Sequence, residues 1–246
     1  MQTLTITTSW DDGHPADLAL AEMLARHGAC GTFYICRDYG GRPRLSDSEI
    51  VELAGIPGIE IGSHTLTHPD LRRISNLQLW HEVEGSRKWL QDLLGHDIAG
   101  FCYPKGLNNK RSVSAVLRAG YTHARTTRGG STTMRFPPLR MPTTLQFYPH
   151  RRSTQLRHAL HEIDCRGFKR IALLDGWSRR PSELATKFAT TEEGHETVLL
   201  HIWGHSWELT PFDLWNDLRK FLVELKRARP LYLTNSGVMA LGRASC

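Results

Sequence analysis

No apolar run in the chain approaches the roughly 18 residues that a membrane helix needs, so a helical membrane span is not expected. The start shows no basic-then-apolar leader pattern and enters a β-prone stretch almost at once, which reads as a cytoplasmic protein. Cysteine is scarce. The five residues Cys30, Cys36, Cys102, Cys165 and Cys246 are odd in number and widely spaced, with no C-x-x-C pair. A disulfide framework or a cysteine-built zinc site is therefore not expected. Long blocks of one charge are missing too. The net charge of +6 is spread over dispersed residues, with only short pairs such as Arg151-Arg152 and Arg179-Arg180, which argues against a nucleic-acid partner. No linker-like, low-complexity or repeated stretch divides the 246 residues, so the expectation is one domain over 1–246.

What the chain does contain is an alternation of strand and helix signals. Thr3 to Thr8 alternate around Leu4 and Ile6, the pattern of a half-buried strand, and this run ends in Asp11-Asp12-Gly13. Helical periodicity follows from Pro15 to His27, then a strand at 31–35. Capping boxes open helices at Ser46 (with Glu49) and Ser75 (with Gln78), flanking a strand at 59–63. Ile98 to Tyr103 reads as a strand, and Asn109 caps a helix that stops at Gly120. Residues of about 126 to 150 read as a long irregular connection, with helices at about 153–164 and 181–189. Thr197 to His201 is a buried strand, Thr210-Pro211 begins the last helix, and Leu231 to Thr234 is a final strand. Alternating β and α elements imply an α/β fold with parallel pairing, an open sheet or a closed barrel. Both place chemistry at the C-terminal ends of strands. Asp11-Asp12, His64, Tyr103-Pro104-Lys105 and His201 all fall at such ends.

Two adjacent carboxylates at a strand end cannot point the same way. One can hold a cation while the other stays free to take a proton. His64-Thr65-Leu66-Thr67-His68 supplies two imidazoles four residues apart, on one face of a helical turn, in reach of one metal at about 2.0–2.1 Å each. Thr65 stands where a zincin protease would need Glu, so that reading fails. Two His and one carboxylate leave open positions for water and substrate, as a catalytic metal requires.

These stretches resemble the polysaccharide deacetylases, metal-dependent carbohydrate esterases. Ser9-Trp10-Asp11-Asp12-Gly13 is similar to the family's first motif, and Ile61 to Pro69, with His64 and His68, to its second. Phe101-Cys102-Tyr103-Pro104-Lys105-Gly106 resembles the third motif, and Leu199-Leu200-His201 the Leu-x-His motif near the end. The resemblance implies a distorted (β/α) barrel that removes an N-acyl (acetyl) group from an amino sugar. It implies that Asp12, His64 and His68 hold one divalent metal, zinc first, with cobalt, manganese or nickel as alternatives. Asp11 would be the general base and His201 the general acid, with His205 orienting or structural. Tyr103, Pro104, Lys105 and Trp203 would border the substrate and its oxyanion. Alternative readings keep the machinery for another C–N amide, such as a formamide or cyclic imide, or make the chain an inactive carbohydrate-binding homologue.

The chain departs from the family pattern at three places. His14 stands where the family has Pro, Cys102 where it has the arginine that orients the base, and Lys105 where it has an aromatic. Lys105 or Arg125 is expected to supply the missing cation. The fourth motif has only Asp175-Gly176-Trp177 as a candidate. Trp10, Trp203 and Trp207 could stack on a sugar ring, whereas Trp80, Trp89 and Trp215 fit helical core patterns. His158 and His161 read as surface residues of one helix, and Cys30, Cys36 and Cys165 as small buried apolar ones.

Overall fold

In the computed structural model, residues 3–150, 180–183, 185–186 and 197–244 are described. The first strand, β1 (Thr3–Asp12), is the hub of the sheet. After it come α1 (Ala16–Arg26), β2 (Gly31–Ile35), α2 (Asp47–Ala54), β3 (Ile59–Ser63) and α3 (Asn76–Leu94). The order continues with β4 (Gly100–Cys102), α4 (Lys110–Arg118), β5 (His123–Arg125) and β6 (Leu145–Gln146). Beyond the undescribed stretch lie β7 (Thr197–Gly204), α5 (Trp215–Leu225), β8 (Leu231–Tyr232) and α6 (Asn235–Ala244).

Every strand pair is parallel, in the order β5-β4-β3-β2-β1-β7-β6, with β8 paired to the start of β1. The two ends of this path approach one another. Met141 bridges to Arg125 at the β5 edge, while Thr144 N donates to His201 O at 2.8 Å on the β7 side. The segment 141–147 thus links first and last strands, and the sheet curls into a distorted barrel.

The alternation in β1 separates barrel interior from helix-facing core, not core from solvent. Thr5, Thr7, Thr8 and Ser9 are all fully buried, which corrects the half-buried reading. Thr7 Oγ1 donates to Asn235 Oδ1 at 2.9 Å, Ser9 Oγ pairs with His201 Nε2, and Asp11 meets Arg125. The odd positions therefore line a polar, hydrogen-bonded interior. Ile6 and Trp10 pack on the opposite face in the main apolar core with Leu20, Leu24, Leu200 and Phe221.

Local signals placed several elements well. The capping boxes Ser46/Glu49 and Ser75/Gln78 are both formed, and Asn109 accepts from Ser112 N to cap α4. Other elements differ from the expectation. The strand at 98–103 is only Gly100–Cys102, and the connection from 126 contains β6. β5 and α6 have no counterpart in the sequence reading. Thr210 and Pro211 lie in turns before α5, which starts at Trp215 and is not the last helix. Leu117 of α4 is 61% exposed. Of the helix expected at 181–189, residues 181–183 and 185–186 are helical and the rest lie outside the described residues. The helix at 153–164, His158, His161, Cys165 and Asp175-Gly176-Trp177 lie outside them as well.

Candidate metal centre and its surroundings

Four of the six non-glycine residues with positive φ among the described residues bound one cleft: Asp12 (φ 83°), Thr65 (φ 71°), His68 (φ 57°) and Lys105 (φ 57°). Each such conformation costs of order 1–3 kcal/mol, and clustering of this kind marks a functional site. At Asp12 the consequence is direct. Strict alternation would send its carboxylate to the helix-facing side, and the left-handed turn before Gly13 redirects it toward the two imidazoles.

His64 and His68 meet there, but not on a helical turn. Residues 64–68 form an irregular loop with two left-handed positions, correcting the helical expectation. The loop is pinned from α3. Glu82 Oε2 accepts from Leu66 N and Thr67 N at 2.9 Å each, and Glu82 Oε1 from Thr67 Oγ1 at 2.6 Å. The rings of His64 and His68 stand edge to face at 4.8 Å, and His68 stacks on Tyr39 at 4.0 Å.

The donor set fits a cation. Asp12 Oδ1 is buried and, among the described residues, accepts no hydrogen bond, yet it lies 3.8 Å from His64 Nε2 and 3.7 Å from His68 Nε2. His64 Nδ1–H donates to Cys102 O at 2.8 Å, which leaves Nε2 as a bare lone pair facing the carboxylate. Burial lowers the pKa of both imidazoles, that of His68 to about 3 with help from His64 and Lys105, so neither is satisfied by a proton. These three converging lone-pair donors could hold a metal ion. Asp12 Oδ2 accepts from Trp207 Nε1 at 3.1 Å.

Asp11 faces the other way. Arg125 Nη2 donates to both of its carboxylate oxygens, from a position level with Cys102 on the neighbouring strand. Cys102 Sγ lies 2.8 Å from Arg125 Nη2, and the guanidinium sits over the Tyr34 and Trp203 rings at 5.4 and 5.0 Å. The small thiol leaves room for an arginine arriving from β5. Burial alone would raise the Asp11 pKa; Arg125, with His64 and His205, outweighs it and holds the carboxyl below its usual range. Lys105 is exposed and does not make this contact.

His201 and His205 occupy different surroundings. The strand register sets Thr7 beside His201 and Trp10 beside Gly204, so β7 runs on past His201 to Gly204 and His205 follows its last residue. His201 is 0% exposed, with Nδ1–H donating to Pro142 O at 3.0 Å and Nε2 accepting from Ser9 Oγ at 2.9 Å. Burial, with Arg125 nearby, pushes its pKa down to about 3. The His205 side chain is 19% exposed, 3.9 Å from Asp12 Oδ2, with Nδ1 on Glu208 Oε2 at 3.0 Å. Burial would lower its pKa, but Glu208, Asp11 and Asp12 together hold it raised.

The other expected residues divide. Tyr103 is buried with its hydroxyl on Leu139 O at 3.1 Å, and Pro104 is buried beneath it. Trp203 is half-buried against Arg125 and His205, and Trp207 borders Asp12. Trp10 is wholly buried, its Nε1 on Thr8 Oγ1 at 3.1 Å, and cannot stack on a sugar. Glu208, expected from the sequence as a local partner of His205, makes that contact, whereas Glu82 was missed. For Glu82 the signal existed: a carboxylate on the buried face of α3 beside Leu79, Val83, Ser86 and Leu90.

The family profile for polysaccharide deacetylases matches residues 2–124. The chain belongs to the polysaccharide deacetylase family. Among relatives of this deacetylase-family chain is the chitooligosaccharide deacetylase of Azorhizobium caulinodans, 27% identical over 119 residues, covering 47% of this chain and 55% of the relative. YxkH of Bacillus subtilis, named for the same family, is 27% identical over 128 residues, covering 51% of this chain and 46% of YxkH. The matched part of the chain therefore spans about half the length of these relatives. In structure, the chitin deacetylase of the fungus Colletotrichum lindemuthianum superposes with a TM-score of 0.62 at 15% identity, covering 97% of this chain and 88% of that one. A cobalt-bound family 4 acetyl xylan esterase from Clostridium thermocellum gives 0.57 at 14% identity, covering 96% and 91%. At these identities the likeness is one of fold, and the fold is the distorted (β/α) barrel of the deacetylases.

Proposed function

We propose that this chain is a metal-dependent hydrolase that removes an N-acyl group, acetyl first, from an amino sugar. The observation that carries the reading is the orphaned Asp12 Oδ1, buried between the Nε2 atoms of His64 and His68. Those three residues would hold one divalent ion, and two nitrogens with one oxygen suit zinc. Bound there, the ion supplies Lewis acidity toward the acyl oxygen and toward water.

The chain's own groups do the proton work. Asp11, kept ionised by Arg125, is the base that takes a proton from the attacking water. His205, kept protonated by Glu208 and the two aspartates, delivers a proton to the departing amine. It takes the role expected of His201, which instead holds Ser9 and Pro142 in the barrel interior. The backbone around Lys105, left-handed at the mouth of β4, borders the developing oxyanion. Trp203 and Trp207 offer half-buried indole faces for a sugar ring. The whole described chain serves this one site, as a single catalytic domain.

The test is product release by metal-loaded protein from N-acetylated chito-oligosaccharide, an N-formyl analogue and a cyclic imide. Acetate from the first, with little turnover of the others, supports the reading. Preferential opening of the imide would move the activity to another C–N amide, and no turnover of any would overturn it.

A further inference from the structure

Beside the metal centre lies a pocket of about 220 Å³ lined by Asp12, His14, Tyr39, Arg42, Arg44 and Trp207. Pockets that engulf a whole drug-sized ligand run to roughly 300–1,000 Å³. This one suits a single ring or side group of a larger ligand. Its electrostatics are unusual for a neutral sugar. The Arg42 guanidinium lies between two aromatic faces, 4.3 Å from the Tyr39 ring centre and 5.0 Å from that of Trp207. That arrangement fixes the plane of the guanidinium and leaves its N–H edge open. Among the described residues the Arg42 side chain donates no hydrogen bond; its nearest anion, Asp12 Oδ2, is 3.8 Å away.

Arg44 brings a second guanidinium, which donates to Leu45 O at 3.0 Å and lies 4.0 Å from Asp47 Oδ1. His14 adds a neutral donor. Its Nδ1 accepts from Ala16 N at 3.1 Å, so the ring proton sits on Nε2. Among the described residues Asp12 is the only carboxylate lining the pocket, and its charge is directed to the ion it would hold. The pocket is therefore cationic, with an arginine whose donors are preorganised and unspent. Tyr39, which contacts both Arg42 and His68, joins the pocket to the histidines of the candidate metal centre.

We infer that this pocket is a specificity subsite for an anionic group, carboxylate or phosphate, carried on the N-acyl amino sugar, with Arg42 as its principal donor. The inference rests on the deacylase reading above and narrows its substrate class to acidic amino-sugar derivatives. Arg42 holds the anion in a fork-like contact between the Tyr39 and Trp207 rings, and Arg44 adds long-range attraction. Hydrogen bonds to a charged group at a half-exposed site support a preference of about tenfold over the neutral sugar.

The probes are N-acetylglucosamine, N-acetylglucosamine 6-phosphate and N-acetylmuramic acid, the last differing from the first by a carboxylate-bearing ether. Binding to metal-loaded protein is followed by the fluorescence of Trp207, which lines the pocket, and acetate release is measured in parallel. Thermal melts check that each variant is folded. The expected result is tighter binding of one or both anionic sugars by about tenfold, weakened by added salt, with Arg42→Gln abolishing the preference and Arg42→Lys keeping part of it. The phosphate and carboxylate arms decide which anion the subsite takes. Equal binding of all three sugars, or an anion preference unchanged in Arg42→Gln, would overturn the inference. An Arg42-dependent preference in binding without acetate release from any sugar would sustain the subsite and count against the deacylase reading.

Discussion

Arg125, at the end of β5, donates to both carboxylate oxygens of Asp11, at the end of β1, and so replaces from the adjacent strand the arginine that the family carries at the position of Cys102. The pair is wholly buried, and the guanidinium keeps Asp11 ionised against the cost of burial. A folded-state pKa below the usual 3.8 stabilises the fold above that pH and is lost as acid protonates Asp11.

Arg125→Met should leave burial as the dominant influence on Asp11 and raise its pKa. The acidic limb of kcat/KM against pH should then move up by about one unit or more. Stripping one partner from a buried pair should also cost roughly 3–5 kcal/mol of stability, read by denaturant unfolding. Lys105→Ala should leave the acidic limb in place, because Lys105 does not touch Asp11. An unmoved limb in Arg125→Met would show that the guanidinium does not tune the base.

The two histidines of β7 should fail in different ways. His205→Ala should lose about 10²–10⁴-fold in kcat while keeping its metal and melting temperature. His201→Ala should instead leave Ser9 and the Pro142 carbonyl unpaired, at about 1–3 kcal/mol each, lowering the melting temperature. Because the His201 pKa is about 3 in the fold against a usual 6.5, the unfolded chain binds more protons between those values. Stability should thus fall on acidification through that window, by up to about 1.4 kcal/mol per pH unit, and His201→Gln should flatten that slope. A larger loss of kcat in His201→Ala than in His205→Ala, both folded, would return the acid role to His201.

Glu82→Gln tests whether the α3 clamp shapes the histidine loop. The amide keeps the size but cannot accept from Leu66 N, Thr67 N and Thr67 Oγ1 with both oxygens. Metal affinity should fall by about 10–100-fold with the helix content unchanged, as read by competitive chelator titration. Undiminished affinity would make Glu82 a purely structural anchor.

Where the deciding physics is local, the residues announced the outcome. The capping boxes at Ser46 and Ser75 and the strand runs 31–35 and 59–63 depend on neighbours within four positions, and all formed. Asp11-Asp12 and His64/His68 were legible because metal and proton chemistry restrict residue types at strand ends. What depended on register was not legible. That β7 runs past His201 to Gly204 follows from its alignment with β1, where a Cβ at Gly204 would crowd the Trp10 ring at 3.1 Å. β5 is only His123–Arg125, too short for a period, and its significance lies in the contact Arg125 makes across to β1. The left-handed turns at Thr65 and His68 are imposed by Glu82, 14 or more residues distant in the chain, and a four-residue spacing cannot distinguish them from a helix.

The central claim is that Asp12, His64 and His68 together hold the one divalent ion on which deacylation depends. Its most direct test is to strip the protein with chelator and titrate zinc back while following acetate release from N-acetylated chito-oligosaccharide. Activity should rise linearly to a break at about one equivalent in the wild type, with no recovery in His68→Ala or Asp12→Ala that fold normally. Full activity in the stripped protein, or a wild-type break retained in both variants, would contradict it.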